Sequence, residues 1–110
     1  MSYTVNGREL ETDAQGYLLE ADFGDDVVPV IAAAEGITLN DDHWKVVGYL
    51  RDEYREHGHT PNFRNMLKGL SAGVLPGCDS KSLYDLFPVG PAKQGAKVAG
   101  LPQPLGKGGY

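Results

Sequence analysis

Cysteine is nearly absent from this chain: Cys78 is the only one among 110 residues. No disulfide can form within the chain, so its stability has to come from burial. Long apolar runs are missing too. No stretch reaches the roughly 18 to 20 apolar residues needed to cross a bilayer, and the opening MSYTVNGREL has no basic segment followed by an apolar one. The expectation is a soluble, cytoplasmic protein without membrane insertion. The chain also lacks a glycine-rich phosphate loop, a Ser/His/Asp set and a zinc signature. No cofactor is therefore expected, and no catalytic residue is assigned. Basic residues are in deficit, ten against fifteen acidic, and unevenly spread. Residues 1–63 hold four basic side chains against thirteen carboxylates, whereas residues 64–110 hold six against two. The second part can approach an anionic partner although the whole chain is acidic.

What is present fits one domain, since this length at 41% hydrophobic content suffices for a single core. Asn6-Gly7 between short alternating runs predicts a β-hairpin over about residues 2–12, and Gly16-Tyr17-Leu18-Leu19 extends or packs on it. From Asp25 the spacing becomes helical, with Val27, Val28, Val30, Ile31 and Ala34 on one face, Pro29 in the first turn and Gly36 as the stop. A longer helix follows, capped by Thr38 or Asn40 and ended by Gly58, whose expected buried stripe is Trp44, Val47, Leu50 and Tyr54. Thr60 is the expected N-cap of the next helix and Pro61 its first residue, with Phe63, Met66, Leu67 and Leu70 facing the core. Residues Gly73 to Gly77 read as a loop, Asp79 or Ser80 caps a short helix, and Pro91 opens a last helix through about Ala99 with Gly100 beyond its end. The stretch from Gly90 onward is poor in large apolar residues and reads as outside the core, so a cut after Gly90 is expected to leave the domain folded. The division expected is residues 1–100 as one domain and 101–110 as a flexible arm, because LPQPLGKGGY has no periodicity.

Chemistry is sparse. Glu53 and His57 share a helix face and His59 follows, but a metal needs a fuller set of converging donors, so no metal is expected. Cys78 precedes a helix N-terminus, which favours the thiolate, while the adjacent Asp79 acts against it. The successive capped helices from residue 38 leave open a helix-turn-helix-like, DNA-binding regulator.

The C-terminal residues carry more. SLYDLFPVGPAKQGAKVAGLPQPLG, with Leu86 to Gln94 and Ala99 to Gly106 as its most specific pieces, resembles the signature of the DsrC/TusE family. That family is known as the gamma subunit of dissimilatory sulfite reductase and as a sulfur-relay protein in tRNA thiolation. The agreement continues upstream through the hairpin, LNDDHWKVVGYLRDEY and the helix after Pro61, covering essentially the whole chain. The resemblance implies a mainly α fold, a small orthogonal helical bundle with an N-terminal β-hairpin and an extended, mobile C-terminal arm. It also implies protein partners of the sulfur-oxidation, sulfur-reduction or tRNA-thiolation relay type. Family members handle sulfur with cysteines at two arm positions, and these hold Ala96 and Lys107 here. Neither side chain can form a persulfide or a disulfide. The resemblance thus points to a non-catalytic or regulatory partner that docks through its arm, with Lys93, Gln94, Lys97, Leu101, Pro102, Pro104, Lys107 and Tyr110 as contact residues. The alternative is a sulfurtransferase or sulfite-reductase gamma-type subunit that uses Cys78.

Overall fold

The computed structural model describes residues 2–104. At its N-terminus, Asn6 and Gly7 both take positive φ (50° and 79°), as a two-residue hairpin turn requires. They join β1 (Ser2–Val5) to β2 (Arg8–Glu11) in the register Val5 to Arg8 through Ser2 to Glu11. Beyond β2 the chain turns back, Thr12 bridges Leu18, and the Leu19 amide donates to the Glu11 carbonyl at 3.0 Å. Residues 16–19 therefore add to the sheet, and Tyr17 and Leu18 are buried beneath it.

Helix α1 (Val27–Ala34) buries Val27, Val28, Ile31 and Ala32. Helix α2 (Asp41–His57) is capped by Asn40, whose side chain accepts from the Asp42 and His43 amides. The Asn40 amide donates in turn to His43 Nδ1 at 3.0 Å. Accepting at Nδ1 puts the ring proton on Nε2, which donates to the Leu86 carbonyl at 2.8 Å. The same ring stands edge-on to Phe87, 5.1 Å between centroids. The buried face of α2 is His43, Val46, Val47, Leu50 and Arg51, so the expected stripe is rotated, and Trp44 and Tyr54 lie only partly buried at its margin.

Helix α3 (Phe63–Gly69) begins two residues later than expected. The Asn62 side chain accepts from the Asn65 amide at 2.9 Å and is the cap, while Thr60 and Pro61 are buried before it. Asn caps as well as any residue, and it lies directly before the first helical residue, so it displaces Thr60 from the role. The chain then widens into a π turn over Leu70–Val74, closed by the Leu75 amide on the Leu70 carbonyl at 2.8 Å, where a loop was expected from Gly73. Helix α4 (Ser80–Leu86) is capped by Asp79, whose carboxylate accepts from the Ser82 amide while Ser82 Oγ accepts from the Asp79 amide. Helix α5 (Pro91–Val98) has Pro91 in its first turn, and Gly100 follows at φ 81°.

Helix α5 touches α1, α2, α3 and α4 and lies at the centre of the fold. Ala92, Ala96, Val98, Ala99 and Leu101 are all fully buried. The stretch judged too poor in large side chains for a core is thus the core's axis, because short side chains let four helices approach one backbone. A Cβ built on Gly95 would lie 3.0 Å from Leu50 Cδ1. Leu101 closes the helix end, its amide donating to the Ala96 carbonyl at 3.0 Å, and so belongs to the core.

The guanidinium of Arg51, only 5% exposed, ties this axis to the loop before α1. Nε donates to the Ala99 carbonyl at 3.0 Å, Nη2 to the Gly24 carbonyl at 2.8 Å, and Nη1 to Asp25 Oδ1 at 2.8 Å. Removing a buried charged donor strands its acceptors, whereas neutralising an exposed partner costs little. Arg51→Met is expected to lower unfolding stability by about 3 kcal/mol, and Asp25→Asn, at a side chain 81% exposed, by about 1 kcal/mol or less. Urea midpoints at constant m measure both. Because α5 is central, a chain cut after Gly90 is expected to show no cooperative urea transition. A retained transition would mean that the other helices form a core alone.

Candidate functional site

The described C-terminal residues are fastened to the rest of the fold. Gly90 takes φ 143°, and the amide of Val89 donates to Gln94 Oε1 at 3.1 Å, closing the turn into α5. Gln94 Nε2 and Lys97 Nζ both donate to the Glu35 carboxylate, at 3.1 and 3.3 Å. Lys97 also stands 5.0 Å above the Tyr17 ring, whose hydroxyl is pushed up to about 12 by burial and then by Asp13 and Glu35. One level on, the Asp22 amide donates to the Gly100 carbonyl at 2.9 Å, and a Cβ on Gly100 would lie 2.6 Å from the Asp22 oxygen. That close approach and the positive φ both require glycine.

Past Leu101, residues Pro102, Gln103 and Pro104 border a small cavity of about 110 Å³ with Tyr54, Gly58, His59 and Thr60. The Thr60 hydroxyl is buried with no partner among the described residues. Of the eight expected contact residues, Lys93 is exposed, Pro102 and Pro104 are partly so, and Gln94, Lys97 and Leu101 are internal fastenings. Lys107 and Tyr110 lie outside the described residues.

Position 96, where the resemblance places a thiol, and Cys78, which is not a family thiol position, differ sharply in setting. Ala96 is 0% exposed, inside the core. Cys78 is half-buried in the residue before the cap of α4, and it lines an open groove of about 370 Å³ with Asp42, Leu75, Pro76, Ser82, Leu83, Asp85 and Leu86. This groove is separate from the cavity at Pro102–Pro104. Burial, then the Asp79 carboxylate, pushes the thiol up from its ordinary value.

Donor atoms of Glu53, Glu56 and His57 lie within 4.8 Å of one another. His59 is outside this trio, although its ring centroid is 6.1 Å from that of His57. The trio stands on an exposed stretch of α2, where His57 Nε2 faces Glu53 Oε1 at 3.9 Å, a loose ion pair when the ring is protonated.

Comparison with known proteins reads this arrangement. The family described as DsrC like protein matches residues 4–106. The chain belongs to the DsrC/TusE family. Sulfurtransferase TusE of Yersinia pseudotuberculosis is 46% identical over 102 residues, 90% of this chain and 94% of the relative. Sulfurtransferase TusE of Escherichia coli K12 is 45% identical, over 90% of this chain and 93% of the relative. Among solved structures, the oxidized gamma-subunit of the dissimilatory sulfite reductase (DsrC) from Archaeoglobus fulgidus superposes with a TM-score of 0.87 at 34% identity, covering 96% of this chain and 98% of that one. DsrC of Allochromatium vinosum follows at 0.86 and 36%, with the same coverage. The expected fold, a small helical bundle with an N-terminal two-stranded hairpin, is the fold of this DsrC/TusE chain. No helix among its described residues is long and apolar enough to cross a membrane. The family match ends at Gly106, one residue before Lys107.

Sequence reasoning overlooked three side chains that this site depends on: His43, Arg51 and Glu35. Each is a polar residue engaged by a distant segment, and the available signal was position. His43 and Arg51 fall at helical spacing with Val46, Val47 and Leu50.

The thiolate is the species that is alkylated, so rate against pH reports the Cys78 titration. Iodoacetamide is expected to react more slowly with Cys78 than with a free thiol at neutral pH, with the rate rising only above the ordinary thiol range. Asp79→Asn keeps a capping oxygen and removes the charge, and should move the profile to lower pH. A profile unmoved by that variant would assign the whole upward shift to burial.

Proposed function

We propose that this DsrC/TusE protein works in sulfur metabolism as a docking partner of sulfur-relay or sulfite-reductase-type proteins, without carrying sulfur on its C-terminal residues. One observation carries the reading: the two positions at which the family resemblance places reactive thiols hold Ala96 and Lys107. An alanine methyl and a lysine ammonium cannot attack a sulfane sulfur and retain it. Contact with a partner falls to the residues that emerge past Leu101, with Pro102 and Pro104 limiting the entropy lost on ordering and the exposed Lys93 adding charge steering. Lys107 and Tyr110 complete the proposed contact set.

A second reading keeps sulfur carriage and gives it to Cys78, and its groove is the observation in favour. The two are separated by intact-mass measurement after incubation with a sulfane-sulfur donor, on the parent chain, Cys78→Ser and Lys107→Cys. The docking reading expects a sulfur gain only in Lys107→Cys. A gain in the parent that Cys78→Ser abolishes overturns it in favour of Cys78. Docking itself is read by competition. In a relay reconstituted with a cysteine-bearing family member, excess of this chain should slow sulfur transfer to the acceptor. Transfer unaffected at any excess would remove the docking role.

A further inference from the structure

The hairpin leaves a backbone edge open. A two-residue turn makes Val5 and Arg8 a hydrogen-bonded pair, and alternation along an antiparallel ladder makes Tyr3 and Leu10 the next. Thr4–Glu9 and Ser2–Glu11 are then the non-bonded pairs, so the backbone groups of Glu9 and Glu11 face away from β1. The returning segment covers that edge only at its far end, through the Leu19 amide on the Glu11 carbonyl. Among the described residues nothing pairs with the Glu9 amide or carbonyl. Between β2 and this segment runs a groove of about 370 Å³ lined by Glu9, Leu10, Glu11, Leu18, Leu19 and Glu20. Its apolar part includes Leu19, 58% exposed. None of the three rim carboxylates makes a salt bridge or side-chain hydrogen bond among the described residues, whereas Arg8 on the same strand is engaged by Asp22 and Asp26.

An open strand edge invites another strand, and the charge on its rim decides which one. A second copy paired through β2 would bring Glu9 and Glu11 against their own counterparts, and like charges directly opposite are destabilising. A cationic strand meets the reverse. Successive side chains of an added strand face opposite sides of the sheet, so a segment alternating basic and apolar residues puts its basic side chains on the face of Glu9 and Glu11 and its apolar ones on the face of Leu10.

We propose that the open edge of β2 and its leucine-lined, acid-rimmed groove bind an extended basic segment of a partner protein, in which lysine or arginine alternates with apolar residues. The segment pairs with the Glu9 backbone as an added strand, its basic side chains reaching the carboxylates with their aliphatic stems along Leu19 and its apolar side chains falling on the Leu10 face. None of the described C-terminal residues lines this groove, and its test does not depend on sulfur chemistry.

The probe is a short blocked peptide alternating lysine with valine, titrated into the full-length, nitrogen-15-labelled chain. Expected are saturable amide shifts confined to residues 9–11 and 18–20, slower hydrogen exchange at the Glu9 amide, and an affinity that weakens with salt. Glu9→Lys with Glu20→Lys should weaken binding roughly tenfold or more, and Leu19→Ser should weaken it without altering the salt dependence. These positions are exposed, and an unchanged urea midpoint verifies that each variant is folded. Equal binding of a peptide with glutamate for lysine, equal binding of one alternating lysine with proline, shifts elsewhere, or no shifts would each overturn the proposal. Sedimentation of the chain alone covers the remaining occupant. A dimer lost in Leu19→Ser would assign the edge to a second copy and overturn it as well.

Discussion

The structure depends on how closely the end of α5 approaches the loop before α1. Gly100 has no Cβ to hold the Asp22 oxygen away, its carbonyl takes the Asp22 amide, and one residue earlier the Ala99 carbonyl takes Arg51 Nε. Arg51 spends its remaining donors on Gly24 and Asp25, so a side chain from the middle of α2 fastens two loops distant in sequence. A buried guanidinium is costly unless its donors are paired, and here the carbonyls it pairs with would themselves be stranded without it. Each group is therefore the condition for burying the other. The course of the last described residues, from Leu101 to Pro104, starts from this arrangement.

Signals that act within a few residues were legible in the sequence. Asn6-Gly7 takes the positive φ of a tight turn, Asn40 and Asp79, each one of two caps offered, satisfy backbone donors, and Pro91 removes one, and these needs exist whatever the tertiary surroundings. Contacts between distant segments were not legible. His43 and Arg51 read as the polar flank of α2 because residue type reports hydration in the unfolded chain, while their burial is licensed by carbonyls of Leu86, Gly24 and Ala99. Helix α5 was read as a helix but not as buried, for a related reason. Scarcity of large side chains argued against a place in the core, yet at a four-helix crossing small volume is what packing requires. Leu101 shows the error at a single residue, as it looked like the first of an arm and is instead the last of the core. The candidate site was visible in outline through its family motif, but the motif covers both fastening and surface residues and does not sort them.

That sorting bears on how a family fold can persist while its chemistry changes. Position 96 lies in the core, where a cysteine would pack as a small hydrophobe and an alanine fills nearly the same role. Exchange of one for the other changes what the chain can react with and leaves the packing of α5 intact. Arg51, Gly95 and Gly100 serve the fold alone, whereas position 96 belongs both to the alanine face and to the positions at which the resemblance places thiols. The 0.87 superposition on an oxidized DsrC thus speaks to the fold and not to the chemistry at that position.

Charge has to be sorted in the same way. Counting residues 64–110 gives a positive excess, but Lys97 is committed to Glu35 and the Tyr17 ring, and Lys81 is paired with Asp85 at 3.1 Å. On α5 this leaves Lys93 as the exposed cation. The acidic side is less spent, since Glu9, Glu11 and Glu20 surround an apolar groove and make no ion pair among the described residues. The field a partner meets at short range is set by such uncommitted charges, because an ion pair already formed presents little net charge beyond a Debye length. By that measure the rim of the hairpin groove presents net negative charge at short range, which a segment of opposite sign meets favourably.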